Sequence, residues 1–166
     1  PIEQYIRDAK IDSLYEGTTA IQAQDFFFRK IARDRGGALT HLVGRIEGFL
    51  GADDARPELA QARERLGAAL DDVKSMGATL TGYLLSSQQN PRDVYRLGLE
   101  SVAFLLAVGD LVIGWLLLWQ AEIALGALDT EPSARDRDFY RGKVTVAKFF
   151  AENMLPFTTP AQADAA

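Results

Sequence analysis

Apolar residues recur every three or four positions along most of the chain, which is the period of one face of an α-helix. The clearest stripe follows Pro57 and consists of Leu59, Ala62, Leu66, Leu70, Val73, Met76, Leu80 and Leu84. The chain lacks the alternation of apolar and polar residues that would predict a strand, and its β-branched residues are sparse. The sequence therefore predicts an all-α fold.

Start and stop signals divide this pattern into separate helices. Pro57 suits the first turn of the striped helix, Asp53 or Asp54 can help to start that helix, and Asn90-Pro91 marks its end. The striped helix is therefore predicted to run from Pro57 to the residues just before this break.

Two further helices are predicted in the C-terminal half. One runs from about Arg92 to Leu128, and because it is apolar on several faces we expect it to be the most buried element. A polar loop leads to the last helix, from about Ser133 to Met154, with Pro156 after it. Residues 157–166 are small and polar, and we expect them to form a mobile tail.

The N-terminal third begins with a short helix, predicted from Ile2 to about Lys10. A longer helix starts near Thr18, and Gly36-Gly37 either kinks it or splits it in two. Short links between the elements favour an antiparallel helical bundle of about four long helices plus the short N-terminal helix.

Composition excludes several classes of function. The 166 residues carry a net charge of -5, which argues against a nucleic-acid partner, since such binders usually show a basic face. There is no cysteine, and His41 is the single histidine, so no metal site is predicted. Glu100, Asp110 and Glu122 interrupt the most apolar stretch, which therefore predicts a buried core helix and no membrane span.

The chain begins PIEQYIRDAK, which lacks a basic start followed by an apolar stretch, so no signal peptide is predicted and we expect a cytoplasmic protein. It also lacks an initiator methionine and reads as if cut from something longer.

The run LYEGTTAIQ, residues 14–22, is the main candidate for chemistry. Glu16 could be a surface charge, a device that starts the next helix, or a catalytic base whose pKa is raised by apolar neighbours such as Tyr15. Gly17 removes a side chain where a substrate must approach closely, and Thr18 can cap the following helix. The residues alone leave these three interpretations of Glu16 open.

A longer run around it, RDAKIDSLYEGTTAIQ from Arg7 to Gln22, resembles the C-terminal signature of the acyl-CoA dehydrogenase family. FFFRKI, residues 26–31, and KVTVAKFFAENMLP, residues 143–156, are similar to helices of the larger, mycobacterial-type members. The resemblance implies that residues 1–38 end the catalytic helical domain and that residues 39–156 form the additional C-terminal helical bundle.

The family's chemistry implies roles for five residues. Glu16 matches the base that removes the α-proton of an acyl-CoA while the β-hydrogen passes to FAD as hydride, giving the trans-2-enoyl-CoA. Gly17 and Tyr15 match substrate-contacting positions, and the backbone N–H of Glu16 matches a donor to the thioester oxygen. Thr18 matches a residue that touches FAD. Family members often have glutamine at the position of Ala20, where alanine offers only its backbone to the cofactor.

The resemblance also implies partners. FAD would lie between domains and across a subunit interface, so the missing N-terminal and middle domains, and a second subunit of a dimer or tetramer, are expected partners. Electron-transfer flavoprotein or a similar protein would accept the electrons. The chain alone is expected to be colourless and inactive.

Two other functions are kept as alternatives. Acyl-CoA oxidases share the fold and the glutamate but pass electrons to oxygen. The helical bundle could instead be a docking or oligomerisation module with no role in catalysis.

Several other residues are interpreted structurally. Arg7 and Asp8 are expected to form ion pairs that hold the short helix, and His41 is expected to lie on a helix face. Trp115 and Trp119 share one face and are expected to anchor a core or a domain interface. Asp110 needs a partner if it is buried. Of Phe26 to Phe28, one or two are expected to reach a surface outside this domain.

Overall fold

The computed structural model describes residues 2–12, 18–52 and 56–157, and every regular element among them is helical. The α-helices are α1 (Ile2–Asp12), α2 (Thr19–Asp25), α3 (Gly37–Leu50), α4 (Ala60–Ser86), α5 (Asp93–Leu128) and α6 (Ala134–Asn153). The other helical segments are a π-helix at Phe26–Ala32 and 3₁₀-helices at Pro57–Leu59 and Leu155–Phe157. The predicted all-α class is confirmed. Asp53, Asp54 and the tail at 158–166 lie outside the described residues.

The long helix predicted from Thr18 is split in two. Helix α2 continues into the π-helix, where the N–H of Arg33 bonds the carbonyl of Phe28 at 3.1 Å. The break follows at Arg35 and Gly36, whose φ angles of 54° and 78° are left-handed. An aspartate then starts α3, because Oδ2 of Asp34 accepts a hydrogen bond of 2.6 Å from the N–H of Ala38.

Helices α4, α5 and α6 form an antiparallel three-helix unit joined by short turns. Ser86, at the end of α4, donates a hydrogen bond of 2.7 Å to Asp93, at the start of α5, and this carboxylate is buried. Ser133 caps α6 by accepting from the N–H of Asp136 at 3.3 Å. A side-chain pair therefore joins the first two helices across their turn, and an N-cap satisfies a free backbone N–H at the start of α6.

Helix α5 lies at the centre of the core, as predicted. Its inner face is marked by residues at intervals of seven that are each 0–1 % exposed: Leu97, Phe104, Leu111 and Leu118. The apolar stripe of α4 meets this face, and its buried members are Leu59, Ala62, Leu66, Leu70, Val73 and Leu80. The helical period read from the sequence thus identifies the residues that build the core.

Helix α5 is also long and apolar enough to cross a membrane by length and composition, with a mean hydropathy of 2.2 in its most apolar window. Of that window, 44 % is buried inside the bundle. A core helix passes the same test, and α5 packs on both α4 and α6.

The three consecutive phenylalanines contact the core to different extents. Phe27 is 1 % exposed, and Phe26 and Phe28 are partly buried against the same cluster. Both Phe26 and Phe27 contact the ring of Phe104, with centroids 6.0 and 6.4 Å apart. That one or two of them also reach a surface outside this domain stays a prediction.

Candidate functional site

The first part of the signature-like run forms α1, an exposed helix held by its own side chains. Arg7 lies 3.4 Å from the carboxylate of Glu3 and donates a 3.0 Å hydrogen bond to Gln4. Gln4 in turn donates to Asp8 at 2.7 Å. The structure thus shows Arg7 and Asp8 in contacts along their own helix.

Thr18 is the residue that starts α2. Its backbone is extended, with φ −78° and ψ 159°, and its hydroxyl accepts a hydrogen bond of 3.4 Å from the N–H of Ile21. The carbonyl of Thr18 accepts from the N–H of Gln22 at 3.1 Å. This is the arrangement of an N-cap residue, and it agrees with the helix start read from the sequence.

The remaining members of the predicted site are unevenly placed. Ala20 lies in the first turn of α2 and is exposed, as is Thr18. Tyr15, Glu16 and Gly17 lie outside the described residues. Thr18 and Ala20 thus both lie at the start of α2, and the roles of all five residues stay predictions.

Helix α2 packs against the bundle within one turn of its start. Ala23, one turn into α2, is fully buried. Gln24 approaches α5, with its amide nitrogen 4.0 Å from the position that a Cβ would occupy at Gly98. The π-helix that follows is anchored by Phe27 against Phe104. A π-helix is frequently found near functional sites, and no periodicity in the sequence signalled this one.

An apolar groove lies elsewhere on the bundle. It has a volume of about 560 Å³, lies between α3 and α4, and is lined mainly by apolar and small residues that include Leu39, Val43, Gly77 and Gly82. None of the described residues between Arg7 and Gln22 lines it. This groove is therefore separate from Thr18 and Ala20.

The other residues singled out in the sequence show no catalytic cluster. His41 is exposed on α3. Trp115 is buried and its ring stacks on that of Trp119, with centroids 5.9 Å apart, while the guanidinium of Arg45 lies 5.4 Å from the Trp115 ring. Within the described ranges, no group of histidines and carboxylates could hold a metal ion.

Comparison with known proteins identifies the family. The sequence matches the family model described as "Acetyl-CoA dehydrogenase C-terminal like" over residues 42–166. The chain belongs to the acyl-CoA dehydrogenase family, as a C-terminal portion.

Three curated relatives are similar to nearly the whole of this chain. The chain is 58 % identical over 159 residues to the broad-specificity linear acyl-CoA dehydrogenase FadE5 of Mycobacterium tuberculosis, covering 96 % of this chain and 26 % of the relative. It is 33 % identical to the 3-methylmercaptopropionyl-CoA dehydrogenase of Ruegeria pomeroyi, over 93 % of this chain and 25 % of the relative. It is 33 % identical to a butyryl-CoA dehydrogenase of Syntrophomonas wolfei, with the same shares. The chain thus spans about a quarter of the length of each.

Proposed function

We propose that this chain is the C-terminal part of an FAD-dependent acyl-CoA dehydrogenase that oxidises an acyl-CoA to the trans-2-enoyl-CoA. The observation that carries the proposal is the ungapped run from Arg7 to Gln22, which resembles the family signature. The relatives described above support it, because each is named as a dehydrogenase of a CoA thioester. A role in fatty-acid β-oxidation or a related acyl-CoA pathway follows from that chemistry.

In this proposal Glu16 is the catalytic base. A carboxylate with an ordinary pKa of about 4.3 is a weak base for a carbon acid, so the site must shield Glu16 from water. The side chain of Tyr15 would supply part of that shield, and Gly17 would leave room for the thioester. The backbone N–H of Glu16 would donate to the thioester oxygen as negative charge develops there, a contribution that is often large.

FAD would supply the acceptor for the β-hydrogen. Thr18 and Ala20 fit a contact with such a group, because both are exposed in the first turn of a helix where backbone N–H groups are unused by the helix itself. The hydroxyl of Thr18 already accepts from Ile21, which leaves its proton to donate outwards. Ala20 would contribute backbone alone. Two such contacts would position only one edge of FAD. Most of the binding energy for FAD would therefore come from other domains.

The domain roles follow from the same proposal. Residues 1–38 would complete the catalytic helical domain, residues 39–156 would form an additional bundle, and residues 157–166 a tail. The whole enzyme would be a cytoplasmic homo-oligomer that passes electrons to electron-transfer flavoprotein or a similar acceptor. The isolated chain would be colourless and inactive.

An oxidase on the same scaffold is the nearest rival. The relatives' names favour a dehydrogenase. Peroxide formed in air at the rate of turnover would instead identify an oxidase.

The decisive experiment is anaerobic bleaching of the flavin absorbance by an acyl-CoA in the complete polypeptide. We expect bleaching in the wild type and in the matched control Glu64→Gln, which changes an exposed glutamate on α4. The Glu16→Gln variant should stay yellow and folded but should not bleach. Equal bleaching of both variants would place the base elsewhere. A complete polypeptide that binds no flavin would overturn the enzyme proposal and favour the docking module.

A further inference from the structure

Helix α5 has a second apolar face, roughly opposite the one that builds the core. Its large side chains are spaced as on one side of a helix and are 40–80 % exposed. We call them the outer stripe: Leu99, Leu106, Ile113, Leu116 and Ile123. A helix that is apolar on both sides is typical of an element covered on both sides, and the described residues cover only one.

The middle of the outer stripe has two features that specify what could cover it. Gly109 is exposed, and nothing lies within 4 Å of the position where its Cβ would be, so a second helix could approach closely. Asp110 beside it is half-buried and has no hydrogen-bond or ion-pair partner among the described residues. Burial raises the pKa of this carboxyl. A partly desolvated carboxylate is stabilised by a cation placed opposite it.

The course of the polypeptide indicates where that cover comes from. Helix α2, the first described helix after the signature-like run, packs on α5, with Gln24 beside Gly98 and Phe26 against Phe104. Helix α1 is uncovered as well, since Ile2 is 76 % exposed. The FadE5 relative is matched over 26 % of its length by this C-terminal portion, so most of its polypeptide precedes the matched part.

We propose that the outer stripe docks on an apolar helical surface with a lysine or arginine opposite Asp110, contributed by the part of the same polypeptide that precedes this portion. The proposal rests on the proposed function only in assuming that such a part exists. The docking would position α2. Helix α5 would then support α2 on one side and the preceding domains on the other, which fixes the start of α2 relative to those domains.

Two other covers fit the stripe less well. A second copy of α5 crossing antiparallel at Gly109 would bring two Asp110 carboxylates close together, and like charges there repel. A lipid surface would leave the Asp110 carboxylate without a partner in an apolar medium.

Cysteine labelling tests the proposal, since the chain contains no cysteine of its own. Leu106→Cys places a thiol in the outer stripe, and Leu85→Cys is the matched control on α4, because the two leucines are 56 % and 65 % exposed. Maleimide labelling of each site is followed by peptide mass in the 166-residue chain and in the complete polypeptide. We expect labelling at 106 to slow at least about tenfold in the complete polypeptide and labelling at 85 to change little.

Each other outcome has a definite meaning. Equal labelling rates at 106 in the two proteins would overturn the proposal. Protection that appears in the 166-residue chain and grows with its concentration would assign the stripe to a second copy instead. Labelling does not depend on flavin, so a colourless complete polypeptide with a protected residue 106 would refute the proposed function and leave the docking surface standing.

A substitution that removes the charge of Asp110 provides a second, independent test. In the complete polypeptide, Asp110→Asn removes the partner of the proposed cation and should increase labelling at 106 severalfold. In the 166-residue chain the same substitution should leave that rate unchanged. An unchanged rate in both proteins would remove the cation from the proposal and contradict it as stated.

Discussion

The guanidinium of Arg63 on α4 pairs with the carboxylate of Glu122 on α5 in the interior of the bundle, where the two side chains are 8 % and 23 % exposed. The same guanidinium donates to the carbonyls of Phe49 and Leu50, the latter at 3.1 Å, and lies over the Phe49 ring. These carbonyls lie in the last turn of α3, where the helix itself supplies no donor, and the Phe49 carbonyl also accepts from the N–H of Ala52 at 3.4 Å. One side chain therefore joins three helices.

Removing Arg63 should be strongly destabilising. Arg63→Met keeps much of the side-chain volume but takes a charged partner from Glu122 and the donors from the end of α3. Breaking a buried pair in this way costs about 3–5 kcal/mol. Urea denaturation of the 166-residue chain measures the change in the free energy of unfolding.

The exposed pair between Lys74 and Glu47 provides the control. Its atoms are 2.9 Å apart, but both side chains are about half exposed. Water and salt screen such a pair, so Lys74→Met should destabilise the protein far less than Arg63→Met. Similar losses for the two variants would show that Arg63 acts as a surface charge.

Two glycines of α5 should respond differently to alanine. A Cβ at Gly114 would lie 3.1 Å from a methyl carbon of the buried Leu155, so Gly114→Ala forces that side chain to move. At Gly109 nothing lies within 4 Å, and alanine gains about 0.5–1 kcal/mol from helix propensity alone. Thermal unfolding should therefore rank Gly109→Ala above the wild type and Gly114→Ala below Gly109→Ala. The reverse order would contradict the close packing of α5 on Leu155.

Phe104 should be a main anchor of the segment that follows the signature-like run. It is fully buried and contacts the rings of both Phe26 and Phe27. Phe104→Ala should cost about 3–5 kcal/mol, because it removes a large buried ring and leaves a cavity. Phe149, which is 59 % exposed on α6, is the matched control, and Phe149→Ala should change stability by about 0.5 kcal/mol or less. Urea titrations of both variants decide the point.

Local sequence signals located the helices accurately because each boundary depends on nearby residues. Asn90-Pro91 separates α4 from α5, and Ser133 caps α6, as the sequence indicated. The buried stripe of α4 was likewise visible as a period. The split near Gly36 was foreseen as one of two possibilities, and the left-handed Arg35 and Gly36 show which one applies.

Features that depend on distant residues were not predictable in the same way. The pairing of Arg63 with Glu122 joins positions 59 residues apart, and neither residue type signals the other. The π-helix at Phe26–Ala32 packs on α5 and has no sequence pattern that would have predicted it. Within the candidate site, the cap at Thr18 was predicted by local chemistry, whereas the proposed role of Glu16 rests on a resemblance, because the residues alone left three interpretations of it open.

Asp110 should make the stability of the 166-residue chain depend on pH. Burial raises the pKa of its carboxyl above the ordinary value of 3.8, so the folded state binds this proton more tightly than the unfolded state. Its favourable contribution is therefore complete below about pH 3.8 and is lost as the pH rises through the folded-state pKa. Above that range the ionised, half-buried carboxylate lowers stability.

Comparison with Asp110→Asn isolates this contribution, since asparagine stays neutral. The asparagine variant should be more stable than the wild type at pH 7, and the difference should shrink as the pH is lowered towards 3.8. The control Asp138→Asn removes one charge from the exposed surface of α6 and corrects for the change in net charge. Urea midpoints at a series of pH values measure both differences. An Asp110→Asn curve that stays parallel to the wild type at every pH would show that this carboxyl is solvated as fully in the folded chain as in the unfolded one.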